Sequence, residues 1–342
     1  MLNDRIDEDM LRALILGLRN CTDHPTKVKT EIQRLLLSAS RPNEVLFESI
    51  FRVLVDLQYL DSSRIWKLIN KYMSTIRKLR ERGISVLLIP DNDYPRRFKQ
   101  LSDVPLILLA KGNLEALNPE KSIAIIGSRN ADNLIYTAGI EISFQLAQRG
   151  WMIASGLAKG CDSAGHIGCI RGNGITTAIL PCSIEKIYPS DNIGLAEEIV
   201  AHNGCLATEY LYSDSIQKYF FIQRDRLQAA LADYLIVLQT GLKGGSMHTV
   251  RYACQYNKQV FSYMPLGNYP QKIDMSGNKE LISTNKAIGF TDIDSLLASM
   301  QATSTKSEQT LCKSTDESSG SCKDPQHSDQ LDFLDSEGNY GL

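Results

Sequence analysis

The chain has 342 residues, 43% of them apolar and 22% charged, with 37 lysines and arginines against 39 acids and a formal net charge of -2. That length allows one large core with one or two smaller units beside it. The near-zero charge excludes a protein coated with positive charge for duplex binding, no run of about 18 apolar residues suggests a membrane span, and the start MLNDRIDEDM is too acidic for a signal peptide, so a cytoplasmic location without a membrane partner is expected.

Residues 1–83 read as a small helical domain, with apolar periodicity over 10–18, 29–39, 45–57 and 62–82 and breaker clusters at Asp23-His24-Pro25 and Ser40-Arg41-Pro42-Asn43. This stretch carries 15 basic and 11 acidic residues, and Arg77, Lys78, Arg80 and Arg82 crowd its end. Such a cluster is either a solvated helix face or a phosphate contact. Strands are then expected at 84–89 and 106–111, either side of the turn Pro90 to Pro95.

From Lys121 the pattern becomes that of a doubly wound α/β domain, with strands near 123–126, 151–154, 175–180, 205–208, 234–238 and 259–263 separated by helices of crossover length. The predicted fold class is thus α/β, a doubly wound parallel sheet over residues 84–298 behind an N-terminal helical domain. Residues 299–342 turn polar, and their last forty hold eight acids against three lysines, which leaves +3 for the body. Such a segment buries too little apolar surface to offset its ordering entropy and reads as a disordered acidic tail. The eight cysteines contain no C-x-x-C pair and read as buried thiols, so no metal site is expected.

Parallel strands of this kind end on one edge, where their turns can form a crevice. The first is Gly127-Ser128-Arg129, whose small residues free the backbone N–H groups and whose arginine adds a bidentate fork. The second, Ser155-Gly156-Leu157-Ala158-Lys159-Gly160, supplies Ser155, Gly156 and Lys159, and Asp162 can cap the helix after it. Asp162 and His166 share a helix face, but no nucleophile is placed to use them, and a structural histidine is the preferred reading. Tyr188-Pro189 can form a loop wall, and Glu209 at a strand end either does chemistry or orients an arginine.

Tyr219 to Arg226 sets aromatic rings beside two arginines, the combination that stacks bases and clamps a backbone; Phe221, Arg224 and Arg226 are the candidates, with a buried ion-pair network as the alternative for either arginine. The third small-residue turn offers Gly245, Ser246 and Thr249 at the head of another helix. Three such turns suggest a polyphosphate track more than one nucleotide pocket. The full G-x-G-x-x-G and G-x-x-x-x-G-K-[ST] orders are missing, so no cofactor is expected.

These ordered motifs, Gly127-Ser128-Arg129, Ser155 to Asp162 with His166, Tyr188-Pro189 with Asn192, Phe221 to Arg226, and Gly245 to Thr249 with Ala253, resemble the DNA-processing protein A family, also called Smf, over about residues 91–297. The resemblance implies an extended Rossmann-like domain that is not an enzyme. It further implies a homodimer that binds single-stranded DNA and helps load a RecA-type recombinase during natural transformation. The family's F-P-x-R-N-R reads here with Ile222 and Asp225, its A-A-H as Ala164-Gly165-His166, and its P-G as Pro265-Leu266. Two other readings stand beside it. One is a Rossmann-like nucleotide phosphoribohydrolase, whose P-G-G-x-G-T-x-x-E turn loses its glutamate here to Val250, Arg251 and Tyr252. The other is a nucleic-acid-sensing or interaction module that keeps the fold for another task.

Overall fold

The structure, a computed structural model, describes residues 2–19, 26–40, 42, 44–267 and 273–314. Four helices come first, α1 (Leu2–Arg19), α2 (Thr26–Ser38), α3 (Glu44–Asp56) and α4 (Ser62–Glu81). In α4 the buried residues Ile65, Ile69, Tyr72, Ile76 and Leu79 recur every three or four positions and make a single apolar stripe. Asp61 starts this helix by accepting from Arg64 N at 2.9 Å, and Gly83 ends it in the left-handed region at φ 69°. Helix α1 lies on α4 and is buried almost all round from Leu11 to Leu18, because strands cover its other side.

Those strands are β1 (Ile84–Leu88) and β2 (Ile107–Gly112), an antiparallel pair whose core is continuous with that of the helices. Arg12 fastens the two together: its Nε donates to Val86 O at 3.0 Å and its Nη2 to Asp91 Oδ1 at 2.9 Å. The basic cluster at the end of α4 is partly occupied in the same way, since Arg80 pairs with Asp9 and Arg82 with Glu185.

The remaining strands are β3 (Ser122–Ile126), β4 (Met152–Ser155), β5 (Thr176–Leu180), β6 (Cys205–Thr208), β7 (Tyr234–Val237), β8 (Gln259–Tyr263) and β9 (Ile288–Phe290). Together they form one nine-stranded sheet in the order β1-β2-β6-β5-β4-β3-β7-β8-β9. The six strands read from the apolar runs are all present and mutually parallel, but the sheet is mixed. Strand β2 adds antiparallel to β6 at one side, and the short β9, which is too brief to announce itself, adds parallel to β8 at the other.

The crossover helices are α5 (Asn133–Gln148), α6 (Cys161–Arg171), α7 (Ile193–Ala201), α8 (Lys218–Leu231), α9 (Ser246–Gln255) and α10 (Ser276–Ser283), with α11 (Ile293–Ser314) last. They cover both faces. Along β3 the side chains alternate, Ile123 and Ile125 packing with α5 and α11 residues, Ala124 and Ile126 with those of α8 and α9, which is why its pattern is apolar throughout. Gly168 lets α6 approach α5 closely, for a Cβ there would strike the Ile140 carbonyl and Ser143.

Two expectations change. Helix α1 begins at Leu2, not near residue 10. Helix α11 runs through the point where the unstructured tail was expected to begin, because Leu296 and Met300 bury against Phe290 and Phe261 and carry the periodicity onward. The rest of the expected tail, from 315, lies outside the described residues. No helix among the described residues is long and apolar enough to cross a membrane.

Fully buried Asn278 joins the sheet to its carboxyl-edge turns. Its Nδ2 donates to the carbonyls of Val237, Leu238 and Tyr263 at 3.2–3.3 Å, and its Oδ1 accepts from Thr240 N at 2.7 Å. Asn278→Ala strands several of these groups without water, at about 1–3 kcal/mol for each one left unmade. A fall in unfolding free energy of about 2–4 kcal/mol is expected in urea titrations monitored by circular dichroism.

Candidate nucleic-acid interface

Strands β3 to β8 point the same way, so the turns after them share one edge of the sheet. Ser128 N donates to Gln239 O at 2.7 Å, and Cys161 N donates to Ser128 O at 3.1 Å, which stitches the turns after β3 and β7 to the head of α6. A side chain at Gly127 would meet Cys161 Sγ at 2.5 Å and Gln239 O at 2.8 Å, so its glycine serves close packing.

Several polar groups expected to face a ligand are occupied within the fold. The Ser128 N–H is already used, Ser155 Oγ is buried and donates to Ile125 O at 2.6 Å, and Gly156 N donates to Asp162 Oδ2 at 3.1 Å. At the third turn, Ser246 Oγ donates to Thr240 Oγ1 at 2.7 Å and Thr249 is buried, whereas Gly245 is exposed at the start of α9. Gln239, in none of the motifs, links the β3 and β7 turns; its Oε1 also accepts from Asp132 N at 3.0 Å.

Arg129 is placed differently. It is exposed, and its guanidinium sits 4.9 Å from the centroid of the Phe221 ring. Phe221, at the head of α8, is half-buried and meets Tyr188 edge-on at 5.7 Å and 77°. A guanidinium stacked in this way keeps its N–H edges free for an anion while the ring limits its rotamers. The Tyr188 loop is tied down by Asn192, whose Nδ2 donates to Leu157 O at 2.7 Å and Ser163 Oγ at 3.0 Å. Lys159 is exposed beside it and pairs with Asp191 at 2.5 Å, an ion pair in water that a phosphate can displace at little cost.

Arg224 and Arg226 are not surface groups. Arg226 is 7% exposed, gripped by both oxygens of Glu209 at 2.7 and 3.0 Å and by Asp103 at 2.5 Å. Burial pulls its pKa down, but the two carboxylates outweigh that and hold it above the usual arginine value. Glu209 therefore orients an arginine, the second of its two readings. Arg224 is 6% exposed and donates through Nη1 to Ile179 O at 2.9 Å, in space that a Cβ on Gly156 would fill.

Asp162 and Asp225 are buried around Arg224. Asp162 accepts from Gly156 N and Ala158 N, while Asp225 Oδ1 lies 3.1 Å from Arg224 Nε, which has no hydrogen-bond partner. Burial raises both carboxyls against the pull of Arg224, Asp225 to about 7. His166 is buried with Nδ1 2.7 Å from Thr176 Oγ1, and burial with Arg224 lowers its pKa to about 3. It is thus neutral and fully enclosed, a structural histidine. Among the described cysteines Cys161, Cys169, Cys182 and Cys205 are buried and Cys254 is exposed, and no cluster of described residues is suited to a metal ion.

A family model for DNA recombination-mediator protein A matches residues 85–301, which take in all of this sheet but its first residue, Ile84. The chain belongs to that family. It is 31% identical over 209 residues to DNA processing protein DprA of Bacillus subtilis, covering 60% of this chain and 70% of that one. It is 33% identical over 181 residues to protein Smf of Borreliella burgdorferi, covering 52% and 56% respectively, so it spans only about half of some relatives. Among solved structures, that of DNA processing protein A from Helicobacter pylori, concerned with its single-stranded DNA binding mode, superposes with a TM-score of 0.56 at 31% identity over 64% of this chain and 96% of that one. That of Streptococcus pneumoniae DprA gives 0.58 at 23% identity over 85% and 92%, a likeness of fold.

Two stability tests follow from the buried charges. Arg226→Ala leaves Glu209 enclosed without its partner and is expected to cost about 3–5 kcal/mol, read as a lowered denaturation midpoint. Asp225 has a folded pKa above its unfolded value near ~4, so the folded state holds more protons between ~4 and about 7 and stability falls as pH rises through that window. Asp225→Asn removes this fall, and the variant's melting temperature relative to the parent is expected to be higher at pH ~8 than at pH ~5, as scanning calorimetry in matched buffers would record.

Proposed function

We propose that this chain binds single-stranded DNA with little sequence preference along the carboxyl edge of its sheet, without catalysing a reaction. The observation that carries the reading is Arg129, exposed and stacked on Phe221 at the mouth of the stitched turns. A phosphate bound by the guanidinium places its neighbouring base within reach of the aromatic pair, and stacking accepts any base. Lys159 and the exposed Gly245 extend the track to either side. Ser128, Ser155, Arg224, Arg226, Ser246 and Thr249 serve it by shaping the turns, as Gly127 and Gly156 do by leaving room.

Family membership supports the wider assignment. On this reading residues 84–298 are an extended Rossmann-like, doubly wound DNA-binding domain behind a helical domain at 1–83, acting as a cytoplasmic homodimer. It protects incoming strands and helps load a RecA-type recombinase during natural transformation. The hydrolase alternative lacks the turn's glutamate, and Glu209, the acid after β6, is held by Arg226.

Fluorescence anisotropy with a labelled oligonucleotide and its duplex at one salt concentration tests the ligand class. The single strand is expected to bind at least about tenfold more tightly, since the stacking platform needs exposed base faces. Equal affinities would refute it. Arg129→Ala is expected to weaken every sequence alike and to reduce the slope of log affinity against log salt by about one, with little change in melting temperature. A large loss of stability with an unchanged slope would make Arg129 a structural residue.

A further inference from the structure

The carboxylates beneath the platform outnumber the guanidinium that separates them. Asp162 on α6 and Asp225 on α8 are 5% and 8% exposed and share Arg224. Asp162 is compensated by two backbone N–H groups, but among the described residues Asp225 is paired with Arg224 alone, and without the alignment of a hydrogen bond. The Asp162 carboxylate repels that of Asp225. The other charge acting on both is Arg129, whose guanidinium lies 4.9 Å from the centroid of the Phe221 ring, one turn before Asp225 on α8, and whose field favours their ionised forms. His166 and Cys182, which also feel Arg224, are held neutral by burial.

We propose that the Arg129 site is proton-coupled, Asp225 taking up one proton from solvent as a phosphate backbone docks. This rests on the single-strand reading of the same site. When a phosphate engages Arg129, the positive field that stabilised the Asp225 carboxylate is cancelled and a new negative charge arrives above it. Asp162 keeps its two backbone donors, so the less supported carboxylate is the one to be neutralised. The proton bonds to a carboxylate oxygen and the acid stays beside Arg224, uncharged and with the shape of an asparagine. Because burial pushes the Asp225 carboxyl up to about 7, the exchange falls in the neutral range. By linkage, a rise in pH that ionises Asp225 weakens DNA binding.

The test is titration calorimetry of the full chain with an oligo(dT) strand at fixed ionic strength, at about pH 7.5, in two buffers of different ionisation enthalpy. Uptake of up to about one proton per site is expected, with affinity falling by up to about tenfold per pH unit above neutrality. Asp225→Asn is expected to bind with no proton uptake at Asp225 and a flat profile over that range. Equal binding heats in both buffers for the unaltered chain would overturn the coupling while leaving single-strand binding intact. That measurement decides the matter even if the variant does not fold. Uptake that persists undiminished in Asp225→Asn would overturn the role of Asp225, and no binding at any pH would sink both readings.

Discussion

Taking a guanidinium out of water costs several kcal/mol unless carboxylates and carbonyls replace the lost hydration. The carboxyl edge of this sheet is organised around meeting that demand. Arg224 reaches from α8 to the carbonyl of Ile179 at the end of β5, beside Asp225 and over the missing side chain of Gly156. Asp162, which supports it electrostatically, also receives the N–H groups of Gly156 and Ala158 and so fixes the turn after β4. A few residues away Arg226 reproduces the device with Glu209 and Asp103. The exposed Arg129 can be a ligand group because other arginines beneath it hold the turns and Phe221 in position.

Much of the sheet was legible because each central strand is buried on both faces and therefore apolar at every position, as in Ser122 to Ile126. The mixed character was not, since nothing local in 84–88 or 107–112 says which strand they will join or in which direction. The place of β2 beside β6 is decided by residues about a hundred positions away. Strand β9 spans three residues and leaves no period to read.

At the candidate site, residue types were legible and side-chain directions were not. Arg224 and Arg226 look equivalent to Arg129 as letters, yet they lie on the inward faces of α8 among buried neighbours. Arg224 has Asp225 beside it in the sequence, but Asp162, which supports it from α6, and the partners of Arg226, Glu209 after β6 and Asp103, lie on elements that only the fold brings together. The glycines are a related case: Gly127 and Gly156 as letters suggest open turns, and in the fold the space they leave is taken by Cys161 and by Arg224. Gln239 and Asn278, which bind the turns to the sheet, belong to no recognisable pattern.

The position of β3 in the interior of the sheet bears on how the chain is made. Its partners are β4, the next strand in the chain, and β7, which follows only after about 110 further residues. During synthesis the half-sheet from β6 to β3 can pair before β7 emerges, leaving one edge of β3 open with apolar side chains on both faces. The residues that later close this gap include Asp233, just ahead of β7, which accepts from Ser122 N at 2.9 Å and from Arg97 through both oxygens at 2.9 Å. The β3–β7 seam thus joins six strands to the last three, and a nascent chain stalled between β6 and β7 exposes the strand edge most prone to pairing with another copy.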